Sequence, residues 1–90
     1  MVSYPITVTR MNYRGSNASK QSEARAYNRK AAELESYVND LLKNQIETTK
    51  VYHYSEIAEA TGYSLKEVEE ILYSVDCGQH GFTARKASQT

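Results

Sequence analysis

Tyr54-Ser-Glu-Ile-Ala-Glu-Ala-Thr-Gly-Tyr-Ser-Leu-Lys-Glu-Val-Glu-Glu-Ile-Leu-Tyr73 is the stretch that decides the fold. It reads as two short helices joined by a tight turn at Thr61-Gly62-Tyr63. Ser55 is placed to cap the first helix, whose apolar positions are Ile57, Ala58 and Ala60. Gly62 stands where the chain must turn sharply, and a residue without a Cβ does so at little cost. Ser64 opens the second helix, and Glu67 follows three positions later, the spacing of a capping box. Leu65, Val68, Ile71, Leu72 and Val75 then recur at helical intervals.

Ala58 is small enough to let the two helices cross closely, and Gly62 makes the corner between them. With aliphatic side chains at Val68 and Ile71, the unit resembles the helix-turn-helix of bacterial regulators. In that fold the second helix commonly lies in the major groove of DNA. The resemblance implies contacts from the start and outer face of this helix: Ser64, Lys66, Glu67, Glu70 and Tyr73. Lys66 would reach a guanine edge or a phosphate, Ser64 a phosphate, and Tyr73 a sugar or a thymine methyl. Glu67 and Glu70 oppose phosphate unless they accept from a cytosine amino group.

Working outward, Val2, Tyr4, Ile6 and Val8 alternate with mostly polar residues, the pattern of a strand, which Pro5 restricts to an edge or an isolated arm. Asn12 to Ser19 is rich in turn formers and reads as a loop. From Gln21 to about Gln45 there is neither Gly nor Pro, and good helix formers dominate. Ala24, Tyr27, Ala31, Leu34, Val38 and Leu41 form a heptad-like stripe along it. Val51-Tyr-His-Tyr54 is short, aromatic and β-prone. Ser74 to Arg85 contains two glycines three apart and reads as a compact hairpin, with Cys77–Gly81 as a small wing.

This order of elements is similar to that of small winged helix-turn-helix proteins of bacteria, over roughly residues 21–86. The expected fold is mainly α, a helix-turn-helix of winged-helix type with a long N-terminal helix and a short β-hairpin wing. Residues 1–20 are expected to be a flexible or extended arm, and residues 87–90 a disordered tail. Arg85 and Lys86 follow the wing, where phosphate or minor-groove contacts would fall, and Arg10, Arg14 and Lys20 would act from the arm. The N-terminal turns of the long helix, around Ala24, Tyr27 and Ala31, offer small residues for close approach of a second copy. Such a homodimer would match a palindromic DNA site.

Charge is distributed against the simplest version of that reading. The 90 residues carry no formal net charge. Residues 1–30 hold Arg10, Arg14, Lys20, Arg25, Arg29 and Lys30 against a lone Glu23. Residues 55–76 hold only Lys66 against Glu56, Glu59, Glu67, Glu69, Glu70 and Asp76. DNA affinity rests on cations that displace counterions, and the helix-turn-helix supplies one. The alternative is a protein-interaction module whose acidic face of Glu56, Glu59, Glu67 and Glu70 docks a basic partner or mimics nucleic acid.

The remaining signals narrow the function classes. Ninety residues suit one domain with a modest core. A single cysteine, Cys77, excludes an internal disulfide framework and fits a reducing compartment. No apolar run reaches the roughly 20 residues of a membrane span, and the N-terminus lacks the apolar block of a secretory signal, so the expected location is cytoplasmic. Cys77 and His80, with His53, form a thin metal constellation without a fourth ligand, so no metal or cofactor is expected. No nucleophile, base and acid stand at catalytic spacing, and no glycine-rich phosphate loop is present, so no enzyme is expected. Eight tyrosines with no tryptophan are unusual. Tyr27 and Tyr63 are expected in the core, and Tyr13 and Tyr73 at the surface.

Overall fold

A computed structural model describes residues 2–76 and 80–86. The chain is a mixture of helix and sheet: β1 (Val2–Ser3), α1 (Ala18–Lys43), β2 (Thr49–His53), α2 (Tyr54–Thr61), α3 (Leu65–Asp76) and β3 (Gly81–Arg85). The expectation of a mainly helical chain with an appended hairpin is corrected here. The strands form one sheet in the order β1-β3-β2, with β3 in the centre. Ser74–Asp76 belong to α3, and β3 pairs antiparallel with β2 and parallel with β1. Strand β3 thus pairs with distant segments on both sides, β2 along its whole length and β1 at Ala84 and Arg85, and 74–76 are helical instead of a hairpin partner. The wing expected at Cys77–Gly81 lies largely outside the described residues, as does the tail at 87–90.

Helix α1 is the wall on which the rest is built. It begins at Ala18, three residues before the expected start, because Asn17 caps it by accepting the Lys20 amide hydrogen at 3.2 Å. Ala24, Ala31, Leu34, Val38 and Leu42 are buried along one face. Leu42 replaces the expected Leu41, which is half-buried, because a straight helix of 3.6 residues per turn drifts off a strict heptad. Against this face pack Ile57 and Ala58 of α2, Val68, Ile71 and Leu72 of α3, and Tyr52, Phe82 and Ala84 of the sheet. Tyr52 and Phe82 are direct cross-strand partners with ring centroids 5.4 Å apart. Gln45 is the one buried polar residue of the described core; it donates to the Ala84 carbonyl and accepts from the Tyr52 hydroxyl. Gly81 lies opposite His53, where a Cβ would collide with the Tyr52 carbonyl.

The N-terminal segment is extended but not free. After a cis Tyr4–Pro5 peptide it runs antiparallel along α1, with Ile6 and Val8 buried in the core. Its peptide groups bond to side chains of α1 in place of a neighbouring strand. Asn39 accepts from the Ile6 N–H at 2.8 Å and donates to the Ile6 carbonyl at 3.2 Å. Asn28 does the same for Met11, at 2.6 and 2.9 Å. Between them Glu35 accepts from the Val8 N–H, while Arg10 donates to the Val8 carbonyl and pairs with Glu35 at 3.0 Å. The match is geometric. The rise of α1 from Asn28 to Asn39 is about 16 Å, and an extended chain covers about the same distance from Ile6 to Met11.

Replacing Asn39 by Ala leaves both peptide groups of Ile6 without their partners, a loss of about 1–3 kcal/mol. Urea unfolding is expected to show that loss, with faster proteolytic cleavage within residues 4–12. Ser36→Ala, at an exposed position of the same helix, serves as the control and should cause no loss in either readout.

Candidate nucleic-acid interface

The α2–α3 unit forms the expected helix-turn-helix corner. Gly62 takes left-handed backbone at φ 82° and returns its N–H to the Ala58 carbonyl at 2.9 Å, closing α2. Ala58 is 8% exposed, which fits the close crossing its size predicts. Ser64 caps α3: its hydroxyl accepts from the Glu67 N–H at 3.2 Å and donates to the Glu67 carboxylate at 3.1 Å. The start of α2 differs from expectation. His53 occupies its cap position and Ser55 lies inside the first turn; no side chain caps it, and the Tyr54 N–H donates to the His80 carbonyl at 2.9 Å.

Two polar links from α1 fix this unit in place. The Lys30 ammonium meets the Glu67 carboxylate at 2.6 Å, and the Tyr63 hydroxyl donates to Glu33. Neither Lys30 nor Glu33 stood out in the sequence, since pairing across 30 or more residues leaves no local pattern. The Lys30 ammonium, and after it the Ser64 hydroxyl, hold the Glu67 carboxyl below the usual carboxylate range.

What α3 leaves uncovered follows from this packing. Val68, Ile71 and Leu72 turn inward, while Lys66, Glu70 and Tyr73 stand exposed at i, i+4 and i+7, on one flank. Leu65, expected in the core, is 45% exposed and joins that surface. Of the sequence-predicted set, the fold therefore brings together Lys66, Glu70 and Tyr73. Ser64 is exposed at the head of the same helix, with its hydroxyl engaged in the cap.

The other predicted residues are elsewhere. Arg10 is held by Glu35 and the Val8 carbonyl, so it does not stand free as an arm residue. Arg14 is exposed. Arg85 and Lys86 end β3 opposite Thr49, where the Lys86 N–H donates to the Thr48 carbonyl. That end of the sheet adjoins the C-terminus of α1 through Gln45. Helix α3 instead meets α1 at Lys30, about 20 Å back along the helix. Ala24 and Ala31, expected at a dimer contact, are 7% and 0% exposed within this single chain. Met11, Asn12 and Tyr13 share a hollow with Ala24, so the arm occupies that face, and Tyr27 is half-buried against the core. The thin metal constellation includes Cys77, outside the described residues; among those described, no three His, Cys, Asp or Glu cluster as ligands.

Two hollows lie along α1, one of which also borders α3. A groove of about 280 Å³ between the helices is lined by Glu23, Ala26, Tyr27, Lys30, Glu67, Glu70 and Ile71. Beyond Ala26, a second hollow lies among Ser22, Arg25, Ala26 and Arg29. No helix of the described residues is long and apolar enough to cross a membrane. No protein family, curated protein or solved structure matches the chain.

Because the Glu67 pKa is lowered in the fold, its pairing adds stability that is complete above the ordinary carboxylate pKa and lost as pH falls through the lowered one. Lys30→Ala removes the first cause. The Glu67 titration, followed by carboxyl carbon NMR, should then move up toward the ordinary range, and the loss of stability between neutral and acid pH should become smaller, the variant being the less stable at neutral pH.

Proposed function

We propose that this chain binds double-stranded DNA as a small transcriptional regulator of the winged helix-turn-helix kind, acting in the cytoplasm. The supporting observation is the corner at Gly62, which turns the Lys66, Glu70 and Tyr73 flank of α3 outward while Lys30 and Glu33 anchor the unit to α1. A rigidly held, uncovered second helix is what insertion into a major groove requires. The order α1, β2, α2, α3, β3, with β2 and β3 antiparallel, agrees with a winged-helix arrangement. Among the described residues Lys66 has no carboxylate partner, so its ammonium is available to a guanine edge or a phosphate. Arg85 and Lys86 offer phosphate contacts at the sheet end.

A second reading, a module that docks a basic protein, draws on the acidic groove between α1 and α3, where Glu23 and Glu70 have no cation paired to them among the described residues. Gel retardation of duplex DNA at low salt separates the two. Retarded duplex is expected, and Lys66→Glu should weaken binding by about 1–3 kcal/mol, or roughly 5- to 150-fold. Absence of retardation even at low salt, where phosphate contacts are strongest, would end the regulator reading.

A further inference from the structure

Helix α3 carries too little positive charge to hold a polyanion, and the fold supplies what it lacks from a neighbouring element. We propose that Arg25 and Arg29 of α1 form a phosphate-binding ridge flanking α3, so that duplex DNA is gripped by both helices. This inference rests on the DNA-binding reading above.

Three observations carry it. Arg25 and Arg29 are both exposed and stand four residues apart, so their side chains rise from one flank about 6 Å from each other along the helix. Among the described residues neither has a carboxylate partner, in contrast to Arg10, Lys30 and Lys50, which are paired with Glu35, Glu67 and Glu47. Finally, Ala26 lines both the arginine hollow and the groove bordered by Glu70 of α3. The arginine hollow and the groove beside α3 thus share Ala26 as a common border on α1.

The chemistry fits phosphate better than a base edge. Consecutive phosphates on one strand of B-DNA rise 3.4 Å or so along the helix axis but lie roughly twice that far apart through space, because the backbone winds around the axis, so two cations about 6 Å apart meet neighbouring phosphates. Arginine presents a planar fork that pairs bidentately with phosphate oxygens. The carboxylates nearby set the path of the strand. Glu67 is neutralised by Lys30, but among the described residues Glu23 and Glu70 have no cation partner, so a phosphate backbone is excluded from the groove and passes over the arginine ridge. In this arrangement α3 reads the groove while α1 holds the backbone beside it.

The test is the salt dependence of binding to a duplex, measured by fluorescence anisotropy, for the full chain and five variants. Each phosphate contact contributes about 0.9 to the slope of log affinity against log salt. Arg25→Ala with Arg29→Ala should flatten that slope by about 1.8, whereas Arg25→Lys with Arg29→Lys should retain it, because counterion release depends on charge. Lys43→Ala, exposed near the far end of α1, should leave it unchanged. Circular dichroism melts confirm that each variant is folded, and both arginines lie outside the core. An unchanged slope in the double alanine variant, with affinity still lost in Lys66→Glu, overturns the ridge and leaves the α3 reading standing. A flattened slope with Lys66→Glu and Tyr73→Ala both silent upholds the ridge and removes α3 from the interface. No binding by the unaltered chain at low salt overturns both.

Discussion

Leu34, Val38 and Leu42 stand at four-residue intervals on α1 and are completely buried, and the positions of all other elements follow from that burial. Alone, α2 and α3 are too short to be stable in water, since isolated helices of fewer than about 12–15 residues are marginal. They persist because Ile57, Val68 and Ile71 find a wall that is already rigid. The sheet depends on the same wall from the other side, through Tyr52, Phe82 and Ala84. Truncating any one of the three α1 residues would open a cavity shared by helix and sheet, at about 2–5 kcal/mol for a leucine. In a chain of this size that is a large part of total stability.

A single helix can serve so many partners because its faces are chemically distinct. The apolar stripe takes the core. Beside it, Asn28, Glu35 and Asn39, seven and four residues apart, form a polar ladder that satisfies the extended arm. On another flank Lys30 and Glu33 reach the turn and head of α3. The arm thereby escapes the usual liability of an isolated extended segment, whose unpaired peptide groups invite association. It also accounts for the burial of Ala24 within one chain, since Met11, Asn12 and Tyr13 of the arm share a hollow with it.

These facts show which parts of the fold could be read from the sequence. The Gly62 corner, the Ser64 cap and the inward set Val68, Ile71 and Leu72 are written in local spacing and were legible. The long helix was too, except where its true period carried burial from Leu41 to Leu42. The docked arm was not, because amide side chains on a helix bonding to a distant strand have no signature in either segment. The central position of β3 was hidden for a similar reason. Its partners lie about 30 and 80 residues away, while two nearby glycines suggested a local hairpin. The candidate site divides along the same line. Lys66, Glu70 and Tyr73 follow from helical spacing, but Lys30, Arg25 and Arg29 gained meaning only once α1 was known to lie beside α3.

That adjacency resolves the conflict between motif and charge. Read along the chain, an acidic helix-turn-helix and a basic N-terminal third look like separate surfaces with opposite preferences. In the fold, part of the imbalance is internal: Arg10 and Lys30 are consumed by Glu35 and Glu67, one anchoring the arm and the other anchoring α3. Arg25 and Arg29 of α1 are exposed and, among the described residues, without a carboxylate partner. A surface divided in this way favours an anion laid across two helices over one seated between them, because the groove keeps the carboxylates of Glu23 and Glu70. Those carboxylates also penalise a misplaced strand. The acidic residues that weaken affinity therefore help to fix the register of whatever backbone the arginines hold.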